Sequence, residues 1–151
     1  MKWITRERPK IDRLACPWLV ARFIDPRAEF LYVPKDKVLS EAQATGAIPY
    51  DIPGVELTHD GELCSFDAFL RKYELRDPAL AKLATIVRAA DTDCLELAPQ
   101  AAGLLAVSLG LGYCFADDQE LLRHALVVYD ALYAWCRNLQ SEKHAWQPDK
   151  I

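Results

Sequence analysis

The sequence predicts an α+β domain: a small N-terminal βαβαβ-like sheet of about three strands, then a helical half of about four helices. Three observations carry this reading. Short aromatic and β-branched runs, Trp3-Ile4-Thr5 and Glu29-Phe30-Leu31-Tyr32-Val33, alternate with helix-compatible stretches over residues 1–60. From Ser65 onward apolar residues recur at spacings of three and four, the helical period. No linker composition, low-complexity segment or repeat divides the 151 residues, so residues 1–60, 61–140 and a tail at 141–151 read as one domain.

The elements follow in order. Trp3–Thr5 is the first strand, and Arg6 to Lys10 a charged loop. A helix over Asp12–Ile24 follows, with Asp12–Cys16 as its entrance and Pro17–Ile24 as its buried body, since proline suits a first helical turn. Asp25-Pro26 stops it, and Glu29–Val33 is the second strand, ended by Pro34. Asp36 is placed to cap a helix reaching Thr45, with Gly46 as its C-terminal stop. Ile48–Ile52 reads as extended, because Pro49 and Pro53 bias the residues before them away from helix. Val55–Thr58 is a further short-strand candidate in a polar loop.

In the second half, Ser65 reads as the cap of a helix that buries Phe66, Phe69, Leu70 and Tyr73. Asp77-Pro78 is an N-cap followed by proline at the first helical position. Ala101–Leu111 is apolar all round, which predicts a central, buried helix ended by Gly110 and Gly112. Asp117 with Glu120 resembles a capping box. After it, Leu122, Ala125, Tyr129, Leu132, Cys136 and Leu139 form a seam expected to pack on that central helix.

Charge and cysteine usage exclude several functions. The net charge is −4, but residues 1–40 hold nine Lys/Arg against five Asp/Glu, and the remainder nine against seventeen. An acidic whole argues against nucleic acid as a partner, while the basic first quarter suits a small anion. The long uncharged run Ala98 to Ala116 contains Pro99, Gln100, Ser108 and three glycines, which suits a core helix better than a membrane span. The N-terminus has no apolar signal region, and the five cysteines are odd in number and scattered. Reduced thiols and a cytoplasmic location are the expectation.

Two constellations carry chemistry. At the helix entrance, unpaired N–H groups and the positive dipole end lie beside Arg13, with Arg6 and Arg8 nearby, so an anion site is expected there. Asp12 is a cap or a site residue. Cys16 is a thiolate activated by that positive end or a small buried hydrophobe. The second constellation is Thr58-His59-Asp60-Gly61-Glu62-Leu63-Cys64-Ser65-Phe66-Asp67. His59 and Asp67, joined by Asp91, form a candidate divalent-metal site, with Glu62 and Cys64 as further candidates. The bland reading places His59 in a turn and Asp67 in a helical first turn. Cys16 or Cys64 with His59 as base is a nucleophilic alternative.

The opening Trp3-Ile4-Thr5-Arg6, the run Lys10-Ile11-Asp12-Arg13-Leu14-Ala15-Cys16-Pro17-Trp18, Phe30-Leu31-Tyr32-Val33-Pro34, Tyr50-Asp51-Ile52-Pro53-Gly54 and Cys64-Ser65-Phe66-Asp67 resemble the chromate-resistance (ChrB-type) family. Ile86-Val87-Arg88-Ala89-Ala90-Asp91, Gly103 to Gly110 and Tyr129 to Tyr133 extend the likeness over about residues 3–136. The resemblance implies a module that often follows a regulatory region in proteins linked to chromate sensing and control of chromate efflux. It implies a site at His59, Asp67, Asp91 and the position of Arg88, where the family often has histidine. It does not carry DNA binding over to this module. The function expected is binding or sensing of a small oxyanion or metal ion in metal or chromate stress. The alternatives are a metal- or thiol-dependent enzyme and a protein-interaction module. Expected partners are a small anion or metal ion and, for a homodimer, a second copy; no membrane is expected. Ligands of open parallel sheets sit beyond the carboxyl ends of the strands, which would bring Arg13 and His59 to one cleft if the sheet is parallel.

Overall fold

The computed structural model describes residues 1–149; the last two positions of the expected tail, 150–151, lie outside the described residues. Three strands, β1 (Lys2–Arg6), β2 (Glu29–Val33) and β3 (Ile48–Pro49), form a parallel sheet in the order β2-β1-β3. Side chains alternate across the central strand. Trp3 faces the helical half, its ring tilted against that of Phe69 with centroids 5.4 Å apart, while Ile4 faces a small cluster with Val38 and Ala42. The two crossovers, α1 (Asp12–Leu19) and α2 (Val38–Thr45), therefore cover opposite faces. A parallel sheet needs both faces covered, and this one has them.

Helix α1 departs from the expected Asp12–Ile24 α-helix in two ways. It changes to a π-turn over Val20–Ile24, and Pro17 lies inside it rather than in a first turn. A proline there leaves the carbonyl four residues earlier, that of Arg13, without its helical donor. The hydroxyls of Tyr32 and Tyr50 donate to that oxygen at 3.1 and 3.4 Å. The internal proline is thus tolerated because β2 and the residue directly after β3 deliver substitute donors. Trp18, fully buried in the helix body, packs against the rings of Phe23, Tyr129 and Tyr133 at 5.6, 6.3 and 5.5 Å. Its indole N–H donates to Asp130 at 2.7 Å, which Arg22 also grips.

The helical half comprises α3 (Ser65–Lys72), α4 (Pro78–Asp91), α5 (Ala101–Cys114) and α6 (Asp118–Ala134). Asp77 and Asp117 cap α4 and α6 by accepting from Ala79 N and Glu120 N, both at 2.8 Å. Three caps or stops differ from the sequence reading. Cys64, not Ser65, caps α3, because Asp67 accepts from the Cys64 N–H at 3.0 Å. Asp36 lies in a 3₁₀ turn and makes no cap, and α2 begins at Val38. Gly110 and Gly112 lie within α5, which runs on to Cys114. Only Ile48–Pro49 of the expected third strand pairs with β1, and Val55–Thr58 contributes one isolated bridge, Leu57 to Tyr50.

The largest correction concerns α5. Only Ala101, Leu104 and Ser108 are buried, while Val107, Leu109 and Tyr113 are exposed. One stripe at helical spacing seats the helix, and the rest of its apolar surface faces outward. The place at the centre belongs to α1 and α4: α4 buries Leu80, Leu83, Ala84, Val87 and Ala90, and α6 brings Tyr129 onto Trp18. Tyr129 also donates to the Ile11 carbonyl at 2.8 Å. Among the described residues no helix is long and apolar enough to cross a membrane.

Candidate functional site

A cleft of about 350 Å³ opens beyond the carboxyl ends of β1 and β3. Arg6 ends β1, Asp51 follows β3, Lys10 to Arg13 lead into α1, Asp91 ends α4, and Leu105 and Leu109 form an apolar wall from α5. His59 reaches into this cleft from the loop before α3, so the parallel sheet does place Arg13 and His59 together.

Three carboxylates converge on one nitrogen. His59 Nε2 lies 3.0 Å from Asp91 Oδ2, 3.2 Å from Asp12 Oδ2 and 3.3 Å from Asp51 Oδ1. One N–H cannot point at three acceptors, so a single hydrogen bond does not account for the arrangement. Each carboxylate is held from behind. Asp12, 1% exposed, accepts from the Ser65 N–H at 3.1 Å. Asp91 accepts from the Asp12 N–H at 3.4 Å. Asp51 accepts from Ser65 Oγ and from Arg6 Nη2, both at 2.8 Å, and Arg13 Nε lies 3.4 Å away.

The backbone is strained at the same place. Ile11, Asp51 and Asp93 all have positive φ, at 46°, 53° and 55°, and all three line the cleft. Ile11 is β-branched and has ψ −103°, a conformation such residues almost never adopt. Strain of this kind costs about 1–3 kcal/mol per residue and gathers where function requires it.

The electrostatics follow from burial and crowding. The Asp12 carboxylate beside it holds the His59 imidazole up at about 9. Burial, then the neighbouring Asp12, pushes the carboxyls of Asp51 and Asp91 upward. The sign is the same for all three, since the folded state holds protons that the unfolded chain releases. His59 thus contributes stability that is complete below its ordinary value of about 6.5 and is lost as pH rises through about 9. The thermal midpoint of the metal-free chain is expected to fall between pH 6.5 and 9, and His59→Gln to flatten that fall; calorimetry against pH checks it.

Arg6 and Arg13 line the cleft, both drawn onto Asp51. Arg8 does not join them: its guanidinium donates to the carbonyls of Gly112, Phe115 and Ala116 and pairs with Asp118, closing the C-terminus of α5. The helix entrance has no free donors to offer an anion, because Asp12 N–H is taken by Asp91, Arg13 N–H by the Lys10 carbonyl and Leu14 N–H by the Ile11 carbonyl. Asp67 stands apart from His59, bound to the Cys64 N–H and to Arg88 Nη1 at 2.6 Å. Glu62 and Arg88 line a separate cleft with Cys94. Asp51 and Lys10 are charged cleft residues that sequence reasoning missed; for Asp51, its place directly after a parallel strand was the available signal.

Cys16 and Cys64 are buried, and burial raises both thiols. The activated-thiolate reading of Cys16 therefore gives way to the packing reading. Alkylation of the native chain near neutral pH is expected at exposed Cys114 first, with Cys16 and Cys64 protected until unfolding; peptide mass mapping checks this.

Fold and cleft together describe a small α+β domain with a histidine-centred acidic site at the sheet's carboxyl edge. Residues 3–136 match the family described as ChrB, C-terminal domain, and the chain belongs to that family. It is similar to Protein ChrB of Cupriavidus metallidurans, with 34% identity over 133 residues, covering 87% of this chain and 40% of that protein. The chain thus spans about two fifths of the length of the curated relative it matches. No solved structure matches the chain significantly.

Proposed function

We propose that the chain is a divalent-metal-binding module of the chromate-resistance type, acting in the response to metal or chromate stress, with Asp12, His59 and Asp91 as the ligands. The observation that carries this reading is the convergence of carboxylate oxygens at 3.0–3.3 Å around His59 Nε2. Metal–ligand bonds of about 2.1 Å place neighbouring ligand atoms about 3.0–3.4 Å apart in octahedral or tetrahedral geometry. The distances from His59 Nε2 to Asp91 and Asp12, 3.0 and 3.2 Å, therefore match such an edge. The ligand atoms of Asp12, His59 and Asp91 lie within 4.8 Å of one another.

One imidazole with two carboxylates suits a borderline-to-hard ion such as Mn²⁺, Fe²⁺ or Zn²⁺. Asp51 supports the set from behind; its charge is taken up by Arg6 and Arg13. The metal competes with the proton on His59, so affinity rises with pH. Chelator-treated protein is expected to gain thermal midpoint on addition of Mn²⁺ or Zn²⁺, more at pH 8 than at pH 6. No gain with any of these ions would remove the reading.

A further inference from the structure

The cleft holds cations as well as metal-ligating groups. Lys10 is exposed at its edge and, among the described residues, makes no ion pair. The strained Ile11 lies between Lys10 and Asp12, and both flanking residues line the cleft. Four carboxylates, Asp12, Asp51, Asp91 and Asp93, share it with Arg6, Lys10 and Arg13. A divalent ion on the proposed ligands would tip that balance to net positive. The wall of Leu105 and Leu109 keeps part of the lining apolar, where a charge interaction is stronger than in water. Two carboxylates and one imidazole also leave coordination positions unfilled on most divalent ions.

We infer that the metal-loaded cleft takes a small anion as an oxygen co-ligand, held between the metal and Lys10. This rests on the metal reading above. The anion is not held by the α1 entrance, whose N–H groups are spent within the protein. Nor does Arg8 hold it, since that side chain closes α5. Of the cleft's cations, Lys10 is the one that makes no ion pair among the described residues.

The test is calorimetric titration of inorganic phosphate, a tetrahedral anion, and of acetate, a planar one, into the full chain with and without one equivalent of Mn²⁺. At least one anion is expected to bind the loaded protein about tenfold or more tightly than the metal-free protein, and Lys10→Ala to remove most of that gain. Mn²⁺ affinity is expected to stay within about twofold in Lys10→Ala, and Lys10→Arg to restore anion binding. Mn²⁺ uptake without metal-dependent anion binding overturns this inference alone, as does a Lys10→Ala chain that binds anion normally. Failure to take up Mn²⁺ or Zn²⁺ at all overturns the metal reading as well.

Discussion

Replacing His59 with alanine is expected to lower divalent-metal affinity by at least about a hundredfold, the upper range for losing groups that merely orient a ligand. The imidazole supplies the one nitrogen of the set and the point on which the carboxylates converge. Asp12→Asn should give a loss of similar size, because Asp12 is buried and its Oδ2 faces both His59 and the Ser65 N–H. Asp67→Asn, in contrast, should leave metal affinity within about threefold, because Asp67 is spent on capping α3 and on Arg88. Competition with a chelating indicator reads all three. Equal losses for Asp67→Asn and His59→Ala would contradict the placement of the site.

The second large effect is on stability. Asp51→Ala is expected to cost about 3–5 kcal/mol in urea unfolding, the range for removing one partner of a buried ion pair. Asp51 is 5% exposed, and its two oxygens hold Arg6, Arg13, Ser65 and His59. Alanine would remove the carboxylate that both Arg6 and Arg13 contact. It would also place a residue poorly suited to positive φ at a turn with φ 53°. Asp51→Asn tolerates that backbone and keeps an acceptor for Ser65, so it should cost about half as much. A loss below about 1 kcal/mol for alanine would show that the network contributes little.

The sheet and most helix boundaries were legible because their signals are local. Pro34 ends β2, Gly46 at φ 72° ends α2, and Asp77-Pro78 and Asp117 open α4 and α6. The burial of α5 was not legible, because hydropathy along one helix cannot say how many neighbours it has. Its fourteen uncharged residues read as central, yet only Ala101, Leu104 and Ser108 are seated. Pro17 misled for the same reason: the donors that satisfy Arg13's carbonyl come from Tyr32 and Tyr50, on other elements.

The site divides along the same line. His59 and Asp91 stand out as residue types, and the resemblance pointed at them. Asp67 shared that signal but was committed to its own helix cap. The sequence allows Asp12 both as a cap and as a site residue; it does not cap α1, since Ile11 holds that N-cap position, and its carboxylate instead accepts from Ser65 at the start of α3. Asp51 lay in a segment of the resemblance, Tyr50 to Gly54, but had no metal-ligand spacing, and the parallel order β2-β1-β3 brings it beside Arg6 and His59.

The most direct measurement is metal content. Chelator-treated protein is incubated with Mn²⁺ or Zn²⁺, passed through a desalting column and analysed for metal and protein, with Asp12→Asn/His59→Ala/Asp91→Asn treated alongside. One equivalent per native chain is expected for at least one of these ions, and none for the triple variant. No retained metal, or equal retention by the triple variant, would contradict the proposed metal site.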